Sequence, residues 1–160
     1  MRCCNHCEFI VGWYSEAETT SHLKNTRMNI QQLWLNLPVK DMEKSKNFYR
    51  AIGMRENERH VGNPSMGSFF IDTKNTVLML FPEKAMEGFM QNSIADTTKG
   101  NEILINIGAE SAADVDAMAA LVRTAGGTIY AEPGESQGWM YAFGFADPDG
   151  HRWGMLYMDM

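Results

Sequence analysis

The sequence predicts an α+β fold in which two tandem βαβββ units form one curved mixed sheet around a cleft. First, the chain from residue 29 onward divides into two halves with the same order of strand and helix signals. Second, the hexapeptides at 36–41 and 106–111 align, and each leads from a strand into a capped helix. Similarity at a fixed spacing is typical of a duplicated unit, and two such units can pair edge to edge.

The first half begins with a strand signal at 30–38, where leucines alternate with Gln, Trp and Asn. Asp41 is suited to cap the helix that follows, and Gly53 is suited to end it. One face of this helix is formed, at helical spacing, by Ser45, Phe48, Tyr49 and Ile52. Three short strands are predicted after it, near 55–61, 67–72 and 76–81.

The second half repeats this plan. A strand is predicted at 102–108, and Ser111 and Asp114 form a capping box for the next helix. The apolar face of that helix is expected at Val115, Met118, Ala119 and Val122. Gly126 and Gly127 are expected to stop it. The remaining strands are predicted at 128–132, 139–145 and 152–158, with a tight turn at 147–150.

Two segments lie outside this repeat. The linker at 82–100 carries apolar residues at helical spacing and is expected to form a short helix or a lid. Residues 1–28 are polar and have no sustained period, so we expect either an appended, poorly ordered segment before a domain at 29–160 or a translation start placed too early, with Met28 directly before the first strand signal. A zinc site is the alternative for this segment, although two adjacent cysteines are hard to fit to one tetrahedral ion. Its ligands would be Cys3, Cys4, His6 and Cys7.

Composition excludes several classes of function. The chain has 160 residues and a net charge of −6, which argues against a nucleic-acid partner, since such a partner requires a basic face. No apolar run approaches the 18 or more residues of a membrane span, and no signal peptide is recognisable at the N-terminus. We therefore expect a cytoplasmic protein with neither a membrane nor a nucleic-acid partner.

Two motifs carry a family resemblance. The stretch 35–45 (LNLPVKDMEKS), followed by Phe48 and Tyr49, resembles the opening of a vicinal-oxygen-chelate domain, and the stretch 145–153 (FADPDGHRW) resembles its closing hairpin. This is the superfamily of glyoxalases, bleomycin-resistance proteins and extradiol dioxygenases, and the resemblance covers about 29–159. Single-module members often pair through their sheets, and in some the cleft is shared across subunits. The resemblance therefore implies a homodimer.

Metal-using members of this superfamily bind their metal through four residues, usually His, Gln or Glu, two from each half. Carried over by motif, these positions are Trp34, Met79, Leu104 and Gly154. None is a credible ligand for a divalent ion that prefers oxygen or nitrogen, so we expect no metal and no cofactor. If the ligand positions are shifted by two residues along the strands, they include Asn36 and Asn106, whose amides are weak ligands. Glu102 and Arg152 lie on the same faces.

Strand alternation then predicts which side chains line the cleft. The predicted lining is Gln32, Trp34, Asn36, Val77, Met79, Phe81, Glu102, Leu104, Asn106, Arg152, Gly154 and Leu156. This largely apolar set is typical of a small-molecule pocket, and a packed strand face is the alternative. The pseudo-symmetric Asn36 and Asn106 could hold one polar ligand from two sides, or bond to each other or to backbone. Glu102 and Arg152 could form a salt bridge, bind a charged group, or form a surface ion pair.

Other polar residues are weaker candidates. His151 has the opposite parity to Gly154 and is expected to point away from the cleft. His60 lies at the end of a predicted strand and has no identifiable carboxylate partner. Asp147 and Asp149 are expected to stabilise their own turn. No nucleophile arrangement, phosphate loop or nucleotide fingerprint is present in the sequence, so no catalytic residue is assigned.

The function that these observations favour is a metal-independent small-molecule-binding protein of the glyoxalase/bleomycin-resistance type. Its acidic charge and its cleft lined by Met and Trp suit a cationic or planar guest. The alternative is an enzyme: a metal-dependent lyase, isomerase or dioxygenase with displaced or partner-supplied ligands.

Overall fold

The computed structural model describes residues 30–158, which form eight strands and three α-helices. The strands of the first half are β1 (Trp34–Val39), β2 (Arg55–Glu56), β3 (Gly67–Phe70) and β4 (Val77–Pro82). Those of the second half are β5 (Leu104–Gly108), β6 (Thr128–Ser136), β7 (Met140–Ala146) and β8 (Arg152–Met158). The helices are α1 (Met42–Ala51), α2 (Glu83–Met90) and α3 (Ala112–Ala125). The predicted segment 1–28 and its alternative zinc site lie outside the described residues.

The strands form two four-stranded sheets with the same topology. Sheet 1 has the order β1-β4-β3-β2, and sheet 2 has the order β5-β8-β7-β6. In each sheet the first strand pairs in parallel with the last, and the other neighbours are antiparallel. The α+β class and the two βαβββ units are therefore confirmed. Among the described residues, the ladder hydrogen bonds form two four-stranded sheets and not the single curved sheet that the sequence predicts.

The helix boundaries follow from the capping residues. The carboxylate of Asp41 accepts a hydrogen bond from the backbone N–H of Lys44 and begins α1. The hydroxyl of Ser111 accepts one from the N–H of Asp114 and begins α3. Gly126 ends α3 with a φ of 88°, a left-handed conformation that favours glycine. All three predicted boundaries are confirmed.

One hydrophobic core joins the helix-facing sides of both sheets. Among its members are Leu37, Val39, Phe48, Tyr49, Phe69, Leu78, Leu80, Val115, Ala119, Val122, Phe143, Phe145, Trp153 and Met155. Successive strand residues point to opposite faces, so the intervening side chains lie on the other face of each sheet. On β1, for example, Leu37 and Val39 are buried, whereas Trp34 and Asn36 are exposed. These open faces are where a binding site can form.

The strand predicted at 55–61 is wrong beyond Glu56. The side chain of Asn57 accepts a hydrogen bond from the N–H of Arg59, and the chain turns into a 3-10 segment at Glu58–His60. A local side-chain bond of this kind offers the backbone an alternative to a ladder. In the linker, the predicted helix is present as α2. None of the helices between residues 30 and 158 combines the length and the apolar character needed to cross a membrane.

Candidate functional site

The open face of sheet 1 carries a cavity of about 700 Å³, which we call the sheet 1 cavity. It lies over β1, β3 and β4 and is closed on one side by the segment that follows β2. Its lining residues are Gln32, Trp34, Arg55, Asn57, Arg59, His60, Met66, Ser68, Phe70, Asn75, Val77, Met79 and Phe81. The volume falls within the range of about 300–1,000 Å³ that is usual for small-molecule pockets.

The register of the strands produces the apolar floor of this cavity. Trp34 is opposite Val77 across β1 and β4, and Phe70 is opposite Val77 across β3 and β4. These side chains therefore share one face, next to Met79. Trp34 is 60% exposed, although it is a large aromatic residue. A flat indole beside apolar and sulfur-containing groups provides a surface on which a planar molecule can stack.

The basic part of the lining, which we call the mouth of the sheet 1 cavity, includes two exposed arginines. Arg55, Arg59 and His60 line it, and no Asp or Glu side chain is among the lining residues. The guanidinium carbon of Arg55 lies 4.1 Å from the centre of the Phe70 ring, and its Nη2 donates to Oδ1 of Asn75 at 2.9 Å. Both partners are neutral, so they fix the position of Arg55 and leave its charge uncompensated.

Strand parity predicted five of the thirteen residues that line this cavity, and eight were missed. Gln32, Trp34, Val77, Met79 and Phe81 were predicted from strand parity, and all five line the sheet 1 cavity. The basic residues and Phe70 were missed. Alternation along β3 places Ser68 and Phe70 on one face of that strand. Assigning this face to the cavity requires the register between β3 and β4, which the structure supplies. Nothing in the sequence indicated that the chain after β2 folds back over this face.

A second cavity, the sheet 2 cavity, occupies about 500 Å³ on the open face of sheet 2. The predicted residues Leu104, Asn106, Gly154 and Leu156 line it. Gly154 is opposite both Asn106 on β5 and Gly144 on β7. The side chain of Asn106 covers Gly154, and the ring of Tyr130 covers Gly144, so the space that two glycines leave is filled by these neighbours. The sheet 1 and sheet 2 cavities share no lining residue.

The other predicted residues lie in a third cavity, the linker cavity, of about 560 Å³. Asn36, Glu102 and Arg152 line it, together with α2 residues and His151. Asn36 and Asn106 thus line different cavities within one chain, and neither amide makes a side-chain hydrogen bond to another described residue.

Arg152 and Glu102 form no ion pair within residues 30–158, so the two expected pairings between them are absent there. Arg152 instead lies over the ring of Tyr130, with 4.4 Å from its guanidinium carbon to the ring centre. Its Nε donates to Oδ1 of Asn101 at 3.3 Å. The guanidinium of Arg152 is therefore held by an aromatic ring and a neutral amide and not by a carboxylate.

The residues at the family's metal-ligand positions do not fit a divalent metal. Trp34 and Met79 line the sheet 1 cavity, and Leu104 and Gly154 line the sheet 2 cavity. Their side chains are, in that order, an indole that carries an N–H donor, a thioether, an alkyl group and, at the glycine, a hydrogen atom. None of these supplies a nitrogen or oxygen ligand for such an ion. In the part of the chain that the structure describes, no group of three or more His, Cys, Asp or Glu side chains could hold a metal ion.

The two sequence motifs meet in a buried hydrogen-bond network. The hydroxyl of Tyr49 donates to Oδ2 of Asp147 at 2.5 Å, and the hydroxyl of Ser45 donates to Oδ2 of Asp149 at 2.5 Å. Oδ1 of Asp149 also accepts from the backbone N–H of Lys40 at 2.9 Å. The expected turn bonds are present for Asp147, which accepts from the N–H groups of Asp149 and His151. The expectation is wrong for Asp149, because its carboxylate bonds to Lys40 and Ser45 and not to its own turn. These aspartates therefore also connect the turn to α1.

Burial shapes the ionisation of this network. Desolvation raises the pKa of Asp147 and is the largest cause, and the hydrogen bond from Tyr49 and the charge of His151 oppose it. Desolvation, followed by the charge of Asp147, raises the pKa of Tyr49 well above its ordinary value. His151 bonds through Nε2 to the carbonyl of Pro38 at 2.8 Å, beside the linker cavity. The network is thus a structural connection between the halves.

Comparisons with known proteins agree with this architecture. The family model of the Glyoxalase/Bleomycin resistance protein/Dioxygenase superfamily matches residues 31–155. The structure of hypothetical protein SA1046 from S. aureus has 33% sequence identity and a TM-score of 0.71, and the match covers 81% of this chain and 95% of that chain. No curated protein matches the sequence.

Two more distant structures share the fold alone. TnmS3, an antibiotic binding protein from Streptomyces sp. CB03234, has 21% identity and a TM-score of 0.57, over 82% of this chain and 99% of that chain. Lactoylglutathione lyase from Agrobacterium tumefaciens has 15% identity and a TM-score of 0.57, over 81% and 94%. The family match and the 33% identical structure confirm the resemblance that the two motifs carry. The chain belongs to the Glyoxalase/Bleomycin resistance protein/Dioxygenase superfamily, which is the vicinal-oxygen-chelate superfamily.

Proposed function

We propose that this protein is a metal-independent small-molecule-binding protein and that its ligand occupies the sheet 1 cavity. The observation that carries the proposal is the lining: an exposed Trp34 beside Met79 and Phe81, with a few polar groups at the mouth of a 700 Å³ cavity. Apolar walls with a small number of placed polar groups are the usual makeup of a ligand site.

The fold supports binding and catalysis alike, because it is shared by an antibiotic binding protein and by a lactoylglutathione lyase. Fold similarity therefore does not decide between them. The residues at the ligand positions favour binding, since Trp34, Met79, Leu104 and Gly154 supply no nitrogen or oxygen ligand to a divalent ion.

A second copy of the chain is expected to complete the site. Leu104 and Tyr130, at 52% and 45% exposure, lie on the open face of sheet 2, as Trp34 lies on that of sheet 1. Exposed apolar groups on one face are typical of an interaction surface. In a homodimer, sheet 2 of one copy could cover the sheet 1 cavity of the other. Sedimentation equilibrium tests this; a monomer at micromolar concentration would contradict it.

Metal analysis tests the first half of the proposal. Protein purified without chelator is incubated with nickel, zinc, manganese or ferrous iron, both as the full chain and starting at Met28. We expect no bound metal in the shorter protein. Metal close to one per chain in both forms would instead favour the enzyme alternative, and metal in the full chain alone would assign it to the cysteine-bearing segment.

Ligand screening tests the second half. A thermal-shift panel of small aromatic and amphipathic compounds is applied to the wild type, to Trp34→Ala and to Trp139→Ala. Trp139 is a matched control, because it is 52% exposed and does not line the sheet 1 cavity. We expect compounds that stabilise the wild type and the control to lose their effect on Trp34→Ala. Equal shifts in all three proteins would remove the sheet 1 cavity as the binding site.

A further inference from the structure

The distribution of charge around the sheet 1 cavity differs from that of the whole chain. The chain has a net charge of −6, which by itself favours a cationic guest. The cavity reverses this expectation, because Arg55, Arg59 and His60 line it and no carboxylate does. Screening limits the reach of distant charges to about 8–10 Å at ordinary ionic strength. The net charge of the chain therefore does not decide which ligand charge the cavity favours, because only charged groups near the cavity act on a ligand in it.

The basic groups are uncompensated within the described residues. Arg50, which is close in sequence, is paired with Glu56, its Nε lying 2.7 Å from Oε2. Arg55 and Arg59, by contrast, form no ion pair with another described residue. The side chains of Arg59 and His60 also make no hydrogen bond there. A guanidinium group without a carboxylate partner has its donors available for a bidentate bond to an anion.

The segment that carries Arg59 and His60 is held in position. The N–H of Asn57 donates to the carbonyl of Ser68 at 2.8 Å, which joins the start of the segment to β3. Further along, the buried ammonium group of Lys46 donates to the carbonyl of Asn63 at 2.5 Å. Both ends of the segment are thus anchored, and the backbone that carries Arg59 and His60 has a defined position beside the apolar floor. Groups fixed before binding lose less entropy when the ligand arrives.

We propose that the sheet 1 cavity selects a planar organic anion, with an aromatic body on Trp34 and Met79 and an acidic group at Arg55 and Arg59. This inference rests on the proposed function, because it names the ligand class of the same site. The stacking surface accounts for the planar part. The two uncompensated guanidinium groups account for the anionic part, whether this is a carboxylate, sulfonate or phosphate. A planar cation is disfavoured, since the mouth offers it no carboxylate.

Two fluorescent probes of nearly equal shape test the inference. 8-Anilinonaphthalene-1-sulfonate has a planar aromatic body and one negative charge, whereas N-phenyl-1-naphthylamine lacks the sulfonate. Each is titrated into the full chain at about 0.15 M ionic strength, where distant charges are screened. We expect the anionic probe to bind about tenfold more tightly than the neutral probe, because only the anionic probe can bond to the guanidinium groups. This difference corresponds to about 1.4 kcal/mol. This preference should shrink in 0.5 M salt, because added salt screens the attraction between the sulfonate and the two guanidinium groups.

Variants separate the two parts of the site. Arg55→Gln combined with Arg59→Gln should weaken the anionic probe about tenfold and leave the neutral probe unchanged. Trp34→Ala should weaken both probes. Arg123→Gln is the matched control, because Arg123 is an exposed arginine, paired with Glu132, that does not line the cavity. Near-UV circular dichroism and melting temperature check that every variant is folded, since the anionic probe also binds partly unfolded protein.

The outcomes distinguish this inference from the proposed function. If both probes bind with equal affinity, and the arginine variants change neither, anion selectivity is overturned while the binding site stands. Tighter binding of the planar cation acridine orange than of the anionic probe would also overturn it. If Trp34→Ala leaves the binding of every probe unchanged, the sheet 1 cavity is not the site, and the proposed function fails with it.

Discussion

The phenol of Tyr49 donates a hydrogen bond of 2.5 Å to the carboxylate of Asp147, and Tyr49 is fully buried. Tyr49 belongs to the motif that opens the domain, and Asp147 belongs to the one that closes it. The residues of the two motifs are therefore partners in one network, which pins the β7–β8 turn to α1. This explains why both motifs are found together in a chain whose metal-ligand positions hold no ligands.

Tyr49→Phe is expected to destabilise the protein by about 1–3 kcal/mol, because it removes a buried donor and leaves Oδ2 of Asp147 unsatisfied. Urea unfolding measures this loss. Tyr141→Phe is the matched control, since the hydroxyl of Tyr141 donates to Asp116 at 3.0 Å at the surface. We expect its cost to be below about 0.5 kcal/mol. Equal losses of stability in the two variants would show that the buried hydrogen bond of Tyr49 contributes no more to stability than the surface bond of Tyr141.

Asp147 also predicts a pH dependence with a defined sign. Burial raises the pKa of Asp147 in the folded state above its ordinary value of 3.8. The folded protein therefore binds this proton more readily than the unfolded chain does, and stability is lost as the pH rises through the folded pKa. The stability of the wild type minus that of Asp147→Asn should increase as the pH falls from 7 to below 3.8. Urea unfolding across this range gives the slope of this stability difference against pH. A hydrogen bond that the substitution weakens equally at every pH shifts the difference by a constant and leaves the slope unchanged.

Asp72 provides the opposite case in the same experiment. Hydrogen bonds from the N–H and the hydroxyl of Thr76 lower the pKa of Asp72 below its ordinary value of 3.8. Its contribution to stability is present above that value and is lost as the pH falls through the folded pKa. The difference between the wild type and Asp72→Asn should therefore decrease on acidification. Slopes of the same sign for Asp72→Asn and Asp147→Asn would contradict the assignment of burial as the dominant cause at Asp147.

The sequence predicted the parts of this fold that depend on local signals. Capping at Asp41 and Ser111 and the parity of β1 are properties of short stretches, so they could be recognised without the structure. The basic mouth of the sheet 1 cavity could not, because it depends on a segment that leaves β2 after Glu56 and is held by contacts from Asn57 and Lys46. The division of the predicted cleft residues among three cavities could not be predicted either. Alternation shows which side chains share a face of one strand, but not which faces of different strands line the same cavity.

Two glycines on the open face of sheet 2 should differ in their tolerance to alanine. A Cβ at position 144 would overlap the ring of Tyr130, and that ring is anchored by its 2.9 Å bond to the carbonyl of Trp153 and by Arg152 above it. We expect Gly144→Ala to cost about 1–3 kcal/mol, as overpacking does. A Cβ at position 154 would overlap only Oδ1 at the end of the Asn106 side chain, which can rotate away, and the carbonyl oxygen of Phe143 lies at an ordinary contact distance of 3.7 Å.

The cost of Gly154→Ala is therefore expected to stay below about 1 kcal/mol. Thermal and urea unfolding of the two variants compare them directly. Adding Tyr130→Ala to Gly144→Ala should recover part of the loss, because the clashing ring is gone, and this coupling is read from the double-mutant cycle. If Gly154→Ala is the more damaging of the two, Asn106 is fixed more firmly than its lack of hydrogen bonds implies.

Lys46 connects the core to the sheet 1 cavity. Its ammonium group is buried and donates to the carbonyl of Asn63 and to the mostly exposed carboxylate of Glu43. Lys46→Met keeps the apolar stem but removes the donor to Asn63. Global stability should change little, because Met removes the desolvation cost of the buried ammonium group and the carboxylate of Glu43 that loses its partner is mostly exposed to water.

The loop, however, should loosen in Lys46→Met. We expect faster hydrogen exchange at the amides of His60 and Asn63, with exchange in α1 unchanged. Binding of the anionic naphthalene probe should weaken, because the backbone that carries Arg59 and His60 loses one of its anchors. Lys44→Met is the matched control, because Lys44 lies on the same helix with an exposed side chain. Exchange measured by mass spectrometry decides the matter: if the loop amides remain as protected in Lys46→Met as in the control, other contacts hold this segment. The basic mouth of the cavity would then owe its position to the Asn57–Ser68 bond rather than to the buried lysine.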